Sequence, residues 1–536
     1  MKYSLITLLL IFTCNTIFAQ KSKQIDELLT TYEKANQFSG SVLVAKKGKI
    51  IFEKSYGYRN APKREKNTNN SRYRIFSTTK IFTATVILKL EEQGKLSLDD
   101  KLSKYFPSFP KGDSITIKNM LSHTSGIPEV GETGTEVDLL KQLAEKPLDF
   151  SPNTKWSYSN TNYYLLGYLI KKVTGIEYDK AIEEFILKPL QMTNSGFHFN
   201  DLKNENKTFG YEFMSGENSN EALRFKTDQP FAAGAMYSTV EDLYKFSEAF
   251  YKGKILNKDV VKTMYTPYLN DHYGFAQDVY KIPNSSKIMV GHSGVGPGYR
   301  CIFNRDLDQD IAIIVLVNTE MTPVDKITED ITNIVYNMPY TKTEIGKVNK
   351  TDLQKMEGIY SSSEATYYVN IIDGMVVING NIFQRLPLIP VTKTIFKLDY
   401  NFAFNFTTDP TGEVKSITVN NLISKEIKKA KKIADTFPWG IIGTATPSGW
   451  DGKDIVLQTE KSNPNYYFLK NYKLKVGELR FRLNNDWGSS LALNNDDKNL
   501  CYDGYNIKIT EDGFYDIVLD MTTKSKPKYS IQLSDN

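Results

Sequence analysis

Residues 73–94 read YRIFSTTKIFTATVILKLEEQG, and the rest of the fold is organised around this stretch. After Lys80 it is apolar around most of a helix circumference and ends at Gly94, so it predicts a buried helix with a left-handed glycine cap. Ser77 would then lie at the N-terminal end of a core helix. Backbone N–H groups there point outward and can stabilise an oxyanion.

Ser77 and Lys80 are three residues apart, so on a helix the amine lies within reach of the hydroxyl. A lysine can activate a serine only if burial or nearby positive charge keeps the amine partly neutral. The same spacing recurs at 525–528 in a polar stretch with a proline, so the spacing alone is weak evidence. With its apolar setting, the pair at 77 and 80 predicts an acyl-transfer enzyme.

The chain from 20 to 345 predicts an α+β fold. Apolar, β-branched runs flank the Gly48 turn, and three more runs lie between 288 and 317. Helical patterns at 162–173 and 240–251 separate these two groups of strands. We therefore expect an antiparallel sheet flanked by helices, with a helical subdomain inserted between its strands.

Two small all-β domains are predicted to follow. Short apolar runs separated by Asp-Gly, Asn-Gly and Pro turns mark the first, at 350–425. The second, at 436–536, is rich in aromatic residues and predicts a β-sandwich. The basic stretch 425–433 between them is interpreted as a solvated linker.

Residues 1–19 predict a signal peptide. Lys2 precedes a short apolar stretch at 5–12, and Ala19 is a plausible cleavage point. Cys14 leaves a lipoprotein as the less favoured alternative. No later stretch is long and apolar enough to be an integral membrane segment. We therefore expect a secreted or periplasmic protein, with association with the cell envelope as a further alternative.

Charge and composition exclude several classes of function. The net charge is +5 over 536 residues, which predicts no nucleic-acid partner. The four histidines are scattered without metal-ligand spacing, so we expect no metal and no cofactor. Cys301 and Cys501 are about 200 positions apart and form no disulfide framework.

Four segments follow the Ser77 stretch in a fixed order. They are LSHTSG at 121–126, WSYSN at 156–160, AMYSTVEDL at 235–243 and GHSGVG at 291–296. Together the five segments resemble the class C β-lactamase and DD-peptidase family of serine hydrolases, which includes penicillin-binding-protein-like enzymes. The resemblance covers about residues 36–345.

The resemblance implies a role for each residue. Ser77 is the nucleophile, Lys80 its base, and Tyr158 relays a proton to the leaving group and later helps water attack. Asn160 orients Lys80 and binds a substrate amide. The backbone N–H groups of Ser77 and Val295 form the oxyanion hole.

His292, Ser293 and Gly294 are the implied substrate-binding triplet, and they depart from the β-lactamase pattern, which reads Lys-Thr-Gly. A histidine is only partly protonated near pH 7, so efficient β-lactam hydrolysis is not expected. The histidine version resembles one found in secreted D-alanyl-D-alanine carboxypeptidases. His123 is interpreted as a structural loop residue.

The C-terminal module has a looser resemblance of its own. Segments at 443–451, 477–482, 485–488 and 513–515 look like the repeats of outer-membrane starch-binding proteins, which implies possible polysaccharide contact through 436–536. The leading prediction is a secreted serine hydrolase of a small ester, peptide or cell-wall fragment. A D-alanyl-D-alanine carboxypeptidase is the narrower alternative. A carbohydrate-binding or penicillin-sensing protein without turnover is the alternative from another class.

Overall fold

The computed structural model describes residues 19–131, 134–203, 205–215, 218–225, 230–269, 272–282, 285–340, 345–380, 383–398, 402–494, 499–502 and 504–534. Residues 1–18, which hold most of the predicted signal peptide, lie outside the described residues. Within the described ranges, no helix has the length and apolar character needed to cross a membrane.

A six-stranded antiparallel sheet joins strands from both ends of the first 345 residues, as predicted. Its strands, in spatial order, are Lys49–Tyr56, Gly40–Lys46, Ile311–Val317, Tyr299–Asp306, Ile288–Gly296 and Asp278–Lys281. The central strand Ile311–Val317 is buried along its whole length, because helices cover both faces of the sheet.

Alternate residues of the central strand enter two separate cores. Ile313 and Val315 pack with residues 19–34, which are helical, and with the helix Val324–Tyr336. Ile314 and Leu316 face the opposite core, with the helices Thr79–Glu92 and Val240–Tyr251. The period of two along the strand thus separates the two layers of helices.

Helices and short strands between the two groups of sheet strands form the predicted helical subdomain. The remaining helices are Leu102–Tyr105, Ile117–Leu121, Glu136–Ala144, Asn160–Thr174, Tyr178–Ile182, Phe231–Gly234, Lys258–Met264 and Lys350–Met356, with 3-10 turns at Phe76–Thr78, Gly112–Ser114 and Phe199–Asp201 and a π turn at Glu183–Leu187. The short strand pairs are Tyr58–Asn60 with Glu65–Lys66, Tyr73–Arg74 with Tyr237–Ser238, and Tyr211–Met214 with Ser219–Glu221.

The helix Thr79–Glu92 is buried on nearly every side, as its sequence predicts. Even its polar residues Lys80, Thr83 and Thr85 are fully buried. Gly94 follows the helix with a φ of 66°, the left-handed conformation expected of its cap. We call it the nucleophile helix.

Eight strands after residue 357 close into a barrel. They are Gly358–Ser361, Thr366–Ile372, Met375–Gly380, Phe383–Pro390, Ile395–Leu398, Phe402–Thr408, Val414–Asn421 and Ile427–Ala434. The interpretation of the basic stretch 425–433 as a linker is therefore wrong. Lys429 and Lys431 are exposed on the outer face, whereas Ala430 between them is 1% exposed in the barrel core, and this strand pairs with both Val414–Asn421 and Gly358–Ser361.

The last module consists of two sheets that share one core. One sheet holds Trp439–Ile442, Ile455–Val456, Gly477–Leu483, Asp486–Leu493, Leu500–Tyr502 and Ile507–Ile509, and the other holds Gln458–Glu460, Asn463–Leu474, Gly513–Asp520 and Lys528–Leu533. The predicted fold class, α+β followed by two all-β units, is confirmed. Cys301 and Cys501 are buried in separate modules and are not joined by a disulfide.

The sandwich docks directly on the first domain. The backbone N–H of Tyr502 donates to Glu212 at 2.6 Å. The amide nitrogen of Asn494 donates to the carbonyls of Glu221 and Ala222 at 3.1 and 3.2 Å, and its oxygen accepts from the N–H of Arg224 at 3.2 Å. Asn494 thus binds the chain segment at 221–224 through backbone groups.

Substitutions on the two faces of the strand Ile427–Ala434 test whether this segment belongs to the barrel wall or is a linker. We expect Ala430→Glu to destabilise the protein by about 3 kcal/mol or more, because it buries an unpaired charge. The matched change Lys429→Glu, on the outer face, should cost within about 0.5 kcal/mol. Thermal melting by circular dichroism measures both. Equal melting temperatures for the two variants would contradict the barrel assignment.

Candidate active site

Ser77 lies in the 3-10 turn Phe76–Thr78, here called the nucleophile turn, which leads into the nucleophile helix. The residue before it, Phe76, has a φ of 42°, a conformation that is costly for a side chain of this size. Ser77 itself is only half-buried, so its hydroxyl remains within reach of a substrate. The strained turn thus presents the serine at the surface of an otherwise buried element.

Lys80 has no exposed surface, and its amine has three hydrogen-bond partners. The amine lies 3.0 Å from Ser77 Oγ, 2.7 Å from Asn160 Oδ1 and 2.8 Å from the carbonyl oxygen of Ala233. Burial lowers the pKa of Lys80 to about 7, and the charge of Glu129 opposes that shift. A substantial fraction of the molecules therefore holds a neutral amine at pH 7, as a base requires.

Tyr158 is half-buried beside the same pair. Its phenol hydrogen-bonds to Ser77, and burial nevertheless raises its pKa above the ordinary value. The Lys80 amine lies 4.9 Å from the centre of the Tyr158 ring. Because its pKa is raised, the phenol keeps its proton at neutral pH and acts as a donor. Lys80 is the better base of the two.

His123 supports Tyr158 from behind. The centres of the two rings are 4.3 Å apart, and His123 Nδ1 accepts the N–H of Ser159 at 3.2 Å. The side chain is completely buried, and burial lowers the pKa of His123 well below its ordinary value. A neutral imidazole with an accepting Nδ1 fits the interpretation of His123 as a structural residue, here one that packs against a candidate catalytic ring.

Glu129 fixes the orientation of Asn160. Its two carboxylate oxygens accept the backbone N–H and the side-chain amide of Asn160, at 2.6 and 2.9 Å. With its nitrogen held by Glu129, the Asn160 amide turns its oxygen towards Lys80. Sequence reasoning missed Glu129, because a single acidic residue in a loop carries no signal of its own. Its partner Asn160 lies 31 residues further along the chain.

The strand Ile288–Gly296 passes directly beside the nucleophile turn. A Cβ on Gly294 would lie 1.9 Å from the carbonyl oxygen of Ile75, and one on Gly296 would lie 2.2 Å from the Phe76 ring. Glycine at these two positions therefore lets the strand approach Ser77 closely. Val295 lies between these two glycines, so the contact places it near the turn that holds Ser77, its predicted partner in the oxyanion hole.

One edge of this strand is open next to Ser77. The neighbouring strand Asp278–Lys281 pairs only with Ile288–Gly291, so residues 292–296 have no strand on that side within the described chain. Ser293 and Val295 are exposed along this stretch. An extended substrate can therefore hydrogen-bond to this edge as an added strand.

His292 is 4% exposed and faces into the site. Its Nε2 lies 3.1 Å from the hydroxyl of Tyr273, and its Nδ1 contacts the carbonyl oxygen of Ser293. Burial lowers the pKa of His292, although the charge of Asp278 opposes the shift. At neutral pH this motif position therefore holds an uncharged ring.

The structure thus brings all of the predicted residues to one site: Ser77, Lys80, Tyr158, Asn160, His292, Ser293, Gly294 and Val295. Among the residues that the structure describes, no three His, Cys, Asp or Glu side chains group in a way that could hold a metal ion.

Glu129→Gln tests the link between Asn160 and the Lys80 amine. Loss of the carboxylate charge lowers the pKa of Lys80 further, so the rise of Ser77 reactivity with pH should move to lower pH, by about half a pH unit for this exposed group. The rate of labelling by a fluorophosphonate, measured from pH 5 to 9, gives the midpoint. The exposed Glu145→Gln is the matched control. An unchanged midpoint in Glu129→Gln would contradict the coupling.

Comparisons with known proteins agree with this geometry. The family model "Beta-lactamase" matches residues 25–334, more than half of the chain. A protein of Bacillus subtilis (strain 168) named as a penicillin-binding protein is 31% identical over 303 residues, which cover 56% of this chain and 75% of the relative.

Two solved structures show the same fold. An octameric penicillin-binding protein homologue from Pyrococcus abyssi aligns with a TM-score of 0.54 at 24% identity, over 77% of this chain and 98% of its own. A class C β-lactamase aligns with a TM-score of 0.52 at 20% identity, over 60% of this chain and 97% of its own. With the matched family model and the serine–lysine site, these findings show that the chain belongs to the β-lactamase family of serine hydrolases.

Proposed function

We propose that the protein hydrolyses an ester or peptide bond through a covalent acyl-enzyme on Ser77. The observation that carries this proposal is the 3.0 Å contact between Ser77 Oγ and an amine whose pKa burial has lowered to about 7. A charged lysine could not take the serine proton, and a solvated one would stay charged at neutral pH. The buried amine meets the requirement of a base.

The proposed reaction has two steps. Neutral Lys80 takes the proton of Ser77 as the oxygen attacks the carbonyl, and the tetrahedral intermediate expels the leaving group, which Tyr158 protonates. The Lys80 ammonium then returns a proton to Tyr158, which leaves both groups neutral. In the second step water attacks the acyl-enzyme as Lys80 takes its proton, and that proton passes to Ser77 Oγ as the ester bond breaks. The backbone N–H groups of Ser77 and Val295 would stabilise both oxyanions, where loss of one donor typically costs about 100-fold to 1000-fold.

A D-alanyl-D-alanine carboxypeptidase is the narrower form of this proposal. The name of the Bacillus subtilis relative supports it. The charge around His292 argues against a carboxypeptidase. A substrate that ends in free D-alanine would bring its carboxylate to a neutral histidine, and the nearby Asp278 is itself negative. A hydrolase that does not require this terminal carboxylate is the better supported form.

We infer that the protein works outside the cytoplasm. The pattern of residues 1–19 supports this inference, as does the name of the relative as a penicillin-binding protein.

Active-site labelling tests the proposed nucleophile and base. We expect a fluorophosphonate to label the wild type, with a rate that rises through about pH 7 as Lys80 loses its proton. Ser77→Ala should remove the label, and Lys80→Arg should slow labelling at least about 100-fold at pH 7, because the guanidinium stays charged. Ser157→Ala, an exposed serine of the same site region, is the matched control. Equal labelling of wild type and Ser77→Ala would overturn the assignment.

We also propose that the sandwich contacts polysaccharide through a pair of tryptophans. The Trp450 and Trp487 rings lie 6.1 Å apart, and Trp487 is 46% exposed. The Arg482 guanidinium lies 4.3 Å from the centre of the Trp487 ring and is itself paired with Asp454. An aromatic face fixed in this way suits the apolar face of a sugar ring.

Retention on insoluble starch tests the tryptophan pair. We expect Trp487→Ala to reduce retention of the protein about tenfold, whereas Phe514→Ala, another exposed aromatic residue of the module, leaves it unchanged. Sedimentation of the full chain with starch granules measures the bound fraction. Equal retention of both variants and wild type, or no retention of wild type, would contradict the proposal.

A further inference from the structure

A cavity of about 280 Å³ lies beside the nucleophile turn. Phe76, which precedes Ser77, forms one wall, and Pro297, two residues after Val295, forms another. Two lining residues are therefore chain neighbours of the two proposed oxyanion donors, one and two residues away. The cavity thus adjoins both chain segments that form the proposed oxyanion site.

The position of the cavity identifies the part of the substrate that would enter it. His292 and Tyr158, the groups proposed to face the leaving group, lie towards the start of residues 292–296, with ring centres 6.3 Å apart. The cavity lies beyond the other end of this stretch, at Pro297 and Tyr299. A substrate laid along the edge with its carbonyl at Ser77 thus directs its acyl portion towards the cavity.

Three cationic side chains line the cavity. They are Arg74, Lys207 and Arg224, and no carboxylate joins them among the lining residues in the described part of the chain. Burial and the two arginines lower the pKa of Lys207 to about 8, while Asp201 and Glu221, which lie outside the lining, act in the opposite direction. Like charges this close are unfavourable, and a bound anion would relieve the repulsion.

Aromatic rings hold the cations in place and make the cavity partly apolar. Arg74 lies 5.0 Å from the centre of the Phe199 ring, Lys207 lies 5.2 Å from the same ring, and Arg224 lies 5.1 Å from the centre of Phe209. Phe76 and Phe225 complete the apolar surface. A cavity of cations on aromatic walls suits an anionic group on a short apolar stem.

The C-terminal sandwich sets the position of one of these cations. The Asn494 side chain accepts the N–H of Arg224 and donates to the two carbonyls at 221 and 222. It thus makes backbone hydrogen bonds of the kind that a neighbouring strand would make. The Arg224 side chain also pairs with Glu221. The wall of the cavity is therefore held between two domains.

From these observations we propose that the cavity binds a carboxylate carried by the acyl portion of the substrate. The preferred substrate is then an ester or amide of a dicarboxylic acyl group, such as a glutaryl group or a glutamyl residue linked through its side chain. This inference rests on the proposed function of Ser77 and names the substrate class of that same site. Hydrolysis would transfer the acyl group to Ser77 Oγ, release the protonated leaving group, and return the dicarboxylic acid by reaction with water.

Matched esters test the proposal on the full chain. Glutaryl and valeryl p-nitrophenyl esters have acyl chains of equal length and differ in the terminal carboxylate. The rates of Ser77→Ala are subtracted from all measurements. The ratio of kcat/KM for the glutaryl ester to kcat/KM for the valeryl ester should then be at least about ten in wild type, since hydrogen bonds to charged groups discriminate by this much. Lys207→Gln and Arg224→Gln should each lower this ratio about tenfold, by slowing cleavage of the glutaryl ester. Lys203→Gln, an exposed lysine of the same loop that does not line the cavity, should leave the ratio as in wild type.

The outcomes separate failure of the cavity from failure of the nucleophile. If Ser77 is labelled by the fluorophosphonate and both esters are cleaved at equal rates, or if Lys207→Gln and Arg224→Gln keep the wild-type ratio, the cavity proposal is wrong while the proposed function stands. If wild type is neither labelled nor active on either ester, the function itself fails. Melting temperatures equal to wild type show that a lowered ratio in a variant is not the result of misfolding.

Discussion

The candidate active site depends on the burial of one amine, that of Lys80. Lys80 lies on a helix with almost no exposed side, and its amine is within hydrogen-bond distance of three oxygen atoms, none of which belongs to a carboxylate. A direct salt bridge would keep the amine charged, and a solvated position would do the same. Neutral hydrogen-bond acceptors inside a core are the arrangement that lets a lysine lose its proton near pH 7.

The surroundings of Lys80 adjust this base. Glu129 adds a distant negative charge and acts through Asn160, which keeps the pKa of the amine from falling further. Tyr158 lies next to the amine with its own pKa raised by burial, so the phenol keeps its proton at neutral pH. His292 is neutral, so this motif position supplies no permanent positive charge at the start of the open strand edge 292–296. Positive charge is instead concentrated at the other end, at Arg74, Lys207 and Arg224.

The barrel and the sandwich both contact the domain that holds the candidate active site. Asn494 of the sandwich binds the segment that carries Arg224, and Glu212 of the first domain accepts the N–H of Tyr502. Arg385 of the barrel lies 3.8 Å from both Glu212 and Glu320. These contacts give the C-terminal region a structural role close to the cavity that Arg224 lines.

The sequence alone determined the α+β plan, the buried nucleophile helix with its cap at Gly94, and the set of residues that meet at Ser77. The plan and the helix rest on local periodicity, which side-chain spacing along one element makes visible, whereas Tyr158, Asn160 and His292 were assigned through the resemblance of the ordered motifs to a known family. It misassigned the basic stretch 425–433, because four lysines in a row of eight resemble a linker until Ala430 is seen to face a closed barrel.

Only the tertiary structure decided the pKa of Lys80, the orientation of Asn160 by Glu129, and the cluster of Arg74, Lys207 and Arg224. Each depends on groups far apart in the chain: Glu129 meets a residue 31 positions away, and Arg224 is held by one 270 positions away. Burial and long-range charge are properties of the packed chain, and no local pattern encodes them.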